Sequence, residues 1–549
     1  MLATTGRSFL LFLLLVTPSV SLGLPEISPA EPQSSGMSTI KIEDMKLPTR
    51  FLASTAFQGR NVPSEELEIA AEYLALMAED IGLEPMLPDG SYFQEVPLEI
   101  SSVDASTSGL AVISGAPGVS ATAPKKFPYP ESFGVRGRFI AAGAAEGSIV
   151  LLGIGANAPE LGWDDFDGVD LQGKVAVILD ARLPDSHALR QPENRAALYG
   201  RSTVAREKGA VAIVTVISPE RESDLQGKKL SFDDVERGWP LDTEVGLGGS
   251  ANPAQFGIEL RHDAAAEILG LTGQELTAMF QELEQGRRVL PREIPGRELR
   301  VTVDLTVRRA ATRNIVGMVD GTDPELRNEY VVIGAHHDGI GQREGGVFHG
   351  ADDNVSGSVA MLELAEAMVL EPPKRTVIFT WFTGEEKGLY GAYYFVSHSP
   401  VPVEKISAMF NLDMLSRNDP ASIYVIGSNK ISSELDQSIN NMAGRAEVSL
   451  HLDYTYEDPL HSDRFFFRSD QYPFIRYGIP AVWIFCGTTS DYHQVTDTED
   501  RMDYDKMLRS TRLVFLSAQD IANRPALLKV DLDPRITSRG AHNTEIAWR

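Results

Sequence analysis

The chain contains a single cysteine, Cys486, so no disulfide can form within it, and 549 residues must be held by packing alone. It has no apolar run near the ~20 residues that a membrane-spanning helix needs, which argues against stable membrane insertion. It has no surplus of basic residues. A net charge of -27 repels polyanions and sets nucleic acid aside as a partner. There is no G-x-S-x-G, the turn that presents a hydrolase serine. Histidine is scarce at the front: only His187 and His262 precede His336. Imidazole chemistry therefore belongs to the later part of the chain.

At this length two or more domains are expected. Residues 1–23 read as an export signal: Arg7 precedes the apolar run Phe9–Val16, and small residues Ser21 and Gly23 follow. An exported product, periplasmic or secreted, is the expectation. Residues 24–45, rich in Pro, Ser and Glu, read as a flexible lead-in. "SEELEIAAEYLALMAEDIGL" has a capping serine, Ser64, and apolar residues Leu67, Ala71, Leu74 and Ala78 at helical spacing. Residues 103–300 change character to short apolar strands separated by turns, such as "GKVAVILD" and "GAVAIVTVIS". They suggest a self-contained α+β or β-rich insert without a cluster of metal-binding residue types. From Asn314 the pattern is strand, loop, helix, repeated. The runs "EYVVIGAH", "RTVIFTWF", "ISAMFNLDML" and "IPAVWIF" barely alternate, as suits strands buried on both faces. The expected fold class is α/β: a mostly parallel central sheet sandwiched by helices. It is assembled discontinuously from 46–102 and 301–525, and 526–549 forms a tail.

Each of these apolar runs ends in a polar group able to ligate a metal. The first ends at His336, followed by His337 and Asp338. A glycine-rich loop then holds Asp352, Asp353 and Asn354. "TGEEKG" supplies Glu385 and Glu386, "NLDML" supplies Asp413, and "DYHQVTDTED" supplies His493. Strand ends of a parallel sheet converge on one edge, so these residues can meet. Carboxylates packed so closely repel one another unless a cation sits among them. A pair of divalent ions needs a shared carboxylate plus a terminal carboxylate and an imidazole on each ion. His336, Asp352, Glu386, Asp413 and His493 fit that composition. Glu385 is left over as a base for a water, and Asp338 can fix the tautomer of His336. Imidazole and carboxylate without thiolate suit zinc, and also cobalt or manganese. Each motif alone is commonplace: a turn, a helix start, a loop boundary.

Taken together, "VVIGAHHDGIG", "GADDNVSG", "FTGEEKGLYGA", "NLDML" and "DYHQVTDTEDRMDYDKM" resemble the co-catalytic two-zinc exopeptidase family of bacterial leucyl aminopeptidases and glutamate carboxypeptidases. The block around "VDLQGKVAVILD" and "AREKGAVAIVTV" resembles the protease-associated domain often inserted in that family. The resemblance implies two zinc ions bridged by Asp352, with Glu386 and His493 on one and His336 and Asp413 on the other. It implies Glu385 as general base, Asp338 as the acid orienting His336, and Tyr492 as a group polarising the scissile carbonyl. It also implies a cis peptide between Asp352 and Asp353. His337 departs from the family pattern, in which an aromatic residue is more usual, and is expected to line the rim rather than bind metal. The expected activity is an aminopeptidase acting on peptide substrates. A carboxypeptidase or dipeptidase would need a cation for the substrate carboxylate, for which Arg464, Arg468 and Arg476 are candidates. A one-zinc glutaminyl cyclase and a non-catalytic binding ectodomain are the further alternatives; intact ligand positions weigh against both.

Overall fold

A computed structural model describes residues 36–114, 123–136, 142–191, 194, 196–225, 237–240, 257–343, 346–459, 461 and 463–532. The export-signal reading of 1–23 and most of the tail lie outside the described residues. Among the described residues no helix is long and apolar enough to cross a membrane. Residues 36–45, expected to be part of a flexible lead-in, are instead packed. Met37, Ile40 and Met45 are buried, and a helix begins at Ile42. The first residues of the tail are likewise docked, with Leu528 buried and its N–H donated to Ser407 Oγ.

A ten-stranded sheet forms the body of the molecule. Its centre is parallel, in the order Thr376–Phe382, Tyr330–His336, Ile406–Leu412, Ala481–Phe485. The flanks depart from the expected parallel arrangement. Leu305–Val319 and Phe93–Val103 run antiparallel on one side, and Ser422–Ile426 is antiparallel to Ala481–Phe485 on the other. The central strands are apolar without alternation because both faces are covered; Thr376–Phe382 and Ile406–Leu412 are buried at every position. Helices Glu65–Ile81, Gly357–Leu370 and Tyr504–Ala522 pack on the sheet as one group, and Tyr390–Ser397 with Gln471–Arg476 as another.

The Glu65–Ile81 helix starts where Ser64 Oγ accepts the Leu67 N–H at 3.1 Å. It stops at Gly82, whose φ of 98° suits a residue without a side chain. Asp503 caps Tyr504–Ala522 in the same way, accepting from Lys506 N.

A second, eight-stranded sheet is built from residues between Gly109 and Val303 and has its own apolar cores. Two long arms join the sheets: Phe93–Val103 leads into Gly109–Ser114, and Arg292–Val303 leads into Leu305–Val319. The insert is not wholly separate, since its Arg237–Pro240 strand pairs with Phe93–Val103 at the edge of the large sheet.

The parallel register positions the site. His336 is level with Phe382, and Leu412 with Ile484. The carboxyl ends of the four central strands therefore open on one edge, where Asp338, Glu385, Asp413 and Cys486 follow them.

Candidate metal centre

At that edge Asp353 lies between two groups of ligand-type atoms. One of its oxygens is 3.4 Å from His336 Nε2, which is also 3.4 Å from Asp413 Oδ1. Its other oxygen is 3.2 Å from His493 Nε2, which is 3.3 Å from Glu386 Oε2. The result is two triads sharing one carboxylate: His336, Asp353, Asp413 and Asp353, Glu386, His493. Glu385 Oε2 stands 4.0 Å from His336 Nε2, belonging to neither triad.

Asp352, expected as the shared carboxylate, is corrected to Asp353. Consecutive carboxylates on this turn diverge. Asp352 Oδ1 accepts from Ser416 N at 2.8 Å and Ser416 Oγ at 2.7 Å, and Oδ2 accepts from the Cys486 thiol at 3.2 Å. Its oxygens are therefore taken on the far side of the turn. The cis peptide also falls one residue later than expected, between Asp353 and Asn354. Asn354 fixes this corner by donating to Leu412 O and accepting from Gly357 N and Met414 N.

Asp338 is buried beneath the cluster. It accepts from Glu385 N at 3.0 Å and Glu386 N at 3.3 Å, and its Oδ1 is 3.5 Å from His336 Nδ1. His336 Nδ1 also faces the Asp338 backbone carbonyl at 3.3 Å, so this one residue orients the imidazole while its side chain anchors the turn that presents both glutamates. Ser469 Oγ donates to Asp413 Oδ2 at 2.5 Å and accepts from Asn411 Nδ2. The Tyr492 ring stacks on the His493 ring, with centroids 3.8 Å apart. His493 is 38% exposed, Glu385 11% and His336 fully buried, so the site opens on the His493 side.

His337 is not on the rim. It is buried, its Nδ1 faces Phe382 O at 2.7 Å, and burial lowers its pKa to about 4. Arg60 was not marked by any sequence motif. Buried, it donates to His337 O, His349 O and Gly350 O and so ties down both ends of the loop before Asp353. His349 Nδ1 faces Ala53 O, away from the cluster. The three candidate arginines lie against aromatic rings: Arg464 is 4.4 Å from the Phe467 centroid, Arg468 4.7 Å from Phe465, and Arg476 5.7 Å from Tyr393.

The electrostatics favour a cation at this site. Burial pushes the Glu385 carboxyl well above its usual range, and Asp413, Glu386 and Asp470 add to the effect. Burial and then Asp353 lift Glu386 to about 7. Burial opposes charge on His493, yet Glu386 and Asp353 raise it to about 9. Without added positive charge, protons must hold this cluster together. His336 Nε2, Asp413 Oδ1 and Glu386 Oε1 are buried without a hydrogen-bond partner, although such atoms are normally satisfied. Orphaned imidazole nitrogen and carboxylate oxygens in two converging triads fit a pair of divalent ions.

Residues 314–518 match the model of peptidase family M28. The protein named "probable leucine aminopeptidase 2" of Aspergillus oryzae is 32% identical over 213 residues, covering 37% of this chain and 40% of that protein. The chain spans about half the length of the curated relatives it matches. An aminopeptidase from Aneurinibacillus sp. strain AM-1 superposes with a TM-score of 0.52 at 20% identity, over 91% of this chain and 98% of that one. A zinc aminopeptidase from Bacillus subtilis does so with a TM-score of 0.51 at 18% identity, over 91% and 99%. At those identities the likeness is one of fold. Residues 314–518 are accordingly a peptidase family M28 domain, carried on the large sheet of a fold held in common with these structures.

Proposed function

We propose that the protein is a two-zinc exopeptidase that removes N-terminal residues from peptides. The observation carrying this reading is the Asp353 carboxylate with one oxygen toward His336 and Asp413 and the other toward His493 and Glu386. His336, Asp353 and Asp413 would hold one ion, and Asp353, Glu386 and His493 the other. When bound, such a pair supplies positive charge to a carbonyl oxygen and acidifies a water. Glu385, beside both triads and belonging to neither, would serve as the group that holds a proton and passes it to the leaving amine. Asp338 holds the His336 imidazole with its Nδ1 facing inward to the protein, leaving Nε2 free to ligate. Tyr492, whose ring stacks on the His493 imidazole, would donate its hydroxyl to the developing oxyanion.

The free amine as the substrate end is supported by the Aspergillus oryzae relative, which is named "probable leucine aminopeptidase 2". Residues 103–300 are read as an inserted domain of the protease-associated type, supported by their own sheet and core. Residues 1–23 are read as an export signal, so peptides would be met in the periplasm or outside the cell. Two peptide series test the reading, one with a free amine and blocked carboxyl end, the other reversed. Metal-dependent cleavage of the first alone is expected. Cleavage of the second alone would make the protein a carboxypeptidase and return attention to the arginines.

A further inference from the structure

Three consecutive amides of the turn that carries Asp353 converge on one residue outside the two triads. Ala351 N donates to Asp497 O at 3.2 Å. Asp352 N donates to both Asp497 carboxylate oxygens at 3.1 Å, and Asp353 N to Oδ2 at 3.1 Å. Successive backbone N–H groups aimed at one anion form a rigid nest, whose direction sets where the next side chain points. Asp497 is itself held: Arg417 Nη2 donates to its Oδ1 at 2.8 Å and to Thr498 O at 3.1 Å. Asp497, Arg417 and the Asp352 side chain are all buried.

The chain connectivity gives this arrangement a consequence. Asp497 lies four residues after His493 on the same loop. Arg417 lies four residues after Asp413, and between them Ser416 grips the Asp352 carboxylate. Each anchor is therefore tied to a different triad: Arg417 to the Asp413 side, Asp497 to the His493 side. The Asp353 backbone is clamped where the two anchors meet.

We propose that Asp497, held by Arg417, is the positioning residue that aims the Asp353 carboxylate at both ion positions at once. This rests on the two-ion reading above. Asp497 belongs to neither triad; it acts through the Asp352 and Asp353 amides and through the loop it has in common with His493. Partners of this kind around metal ligands are worth about 10–100-fold in metal affinity or activity.

The test loads the metal-free full chain with Zn2+ in competition with a chromophoric chelator. It compares wild type, Asp497→Ala and Asp497→Asn, and follows kcat and KM on a free-amine peptide. Wild type is expected to take up two ions. Asp497→Ala should weaken uptake by about 10–100-fold, most for the more weakly held ion, and should lower kcat more than KM. Asp497→Asn keeps a carbonyl oxygen for the two amides but turns an NH2 against Arg417, so an intermediate loss is expected from a folded protein. That variant decides the matter if the alanine variant does not fold. Both variants binding two ions with wild-type affinity and turnover, even at lower thermal stability, would reduce Asp497 to a structural cap and overturn the proposal. Wild type taking up no ion would instead overturn the two-ion reading, and this inference with it.

Discussion

Asp352 and Asp353 are neighbours of the same residue type, and the structure assigns them opposite environments, so a matched pair of substitutions separates them. Asp353→Asn removes the carboxylate that stands 3.4 Å from His336 Nε2 and 3.2 Å from His493 Nε2. The two histidines hold this carboxyl below the usual range against the opposing effect of burial, so its charge is present at neutral pH. Removing a mere supporting partner of a metal ligand costs about 10–100-fold in affinity, and the loss of a carboxylate facing both triads must exceed that at each ion. Asp352→Asn behaves differently. Its amide oxygen still accepts from Ser416 N and Oγ, and the loss is the contact from Cys486 Sγ at 3.2 Å. Burial already raises the Asp352 carboxyl, so a neutral side chain suits the position. The expected cost is about 1–3 kcal/mol of stability with both ions retained. Metal content after dialysis, metal affinity by chelator competition and thermal denaturation of the metal-free forms read out the pair. An Asp352→Asn variant that loses both ions while Asp353→Asn keeps them would refute the assignment of the shared carboxylate.

Glu385→Gln should retain both ions and lose about 10²–10⁴-fold in kcat, since only the proton carrier is removed; loss of metal in that variant would make Glu385 a ligand instead. Chelation should destabilise the protein, because ions bound only by the folded state add about 2.7 kcal/mol at a hundredfold excess over Kd; an unchanged Tm after chelation would count against folded-state ion binding. Glu457 gives a pH prediction away from the metal centre. Burial, against the opposing charge of Lys430, raises its carboxyl from 4.5 to about 8. Its folded pKa is the higher, so its stabilising contribution is complete below pH 4.5 and is lost as pH rises through about 8. At ~1.4 kcal/mol per unit the loss is on the order of a few kcal/mol. In Glu457→Gln the remaining oxygen can still serve Gly427 N and Asn429 N, so denaturant melts should show a flatter stability profile between those pH values. Parallel profiles for the two proteins would exclude the effect.

Much of the site is legible in the sequence because the residues that carry it sit at the ends of unalternating apolar strands. Two-sided burial makes a strand readable, and parallel pairing brings its end to a common edge. That brings the segments holding His336, Glu386, Asp413 and His493 to one edge, and the family resemblance supplies their separate roles. The direction of a side chain within an irregular turn follows from neither. Asp352 and Asp353 differ only in backbone angles, with Asp353 at φ -108° and ψ 88°, and no residue type encodes that choice. The supporting groups were hidden for a related reason. Arg60, Arg417 and Asp497 act on backbone atoms of segments distant in sequence, so neither spacing nor periodicity marks them. His337 reads as a rim residue because an aromatic residue is usual at that position in the resembled family, whereas the end of the strand Thr376–Phe382 covers it through the Phe382 carbonyl. The antiparallel flank at Ser422–Ile426 was missed because strand direction depends on the path of the connection, which composition does not record.

Anomalous scattering from zinc in crystals of the metal-loaded chain would show whether two ions flank one carboxylate. Two peaks are expected on either side of Asp353, one beside His336 and Asp413, the other beside Glu386 and His493. A single peak, or peaks that leave Asp353 without a ligand role, would rule out the shared-carboxylate pair.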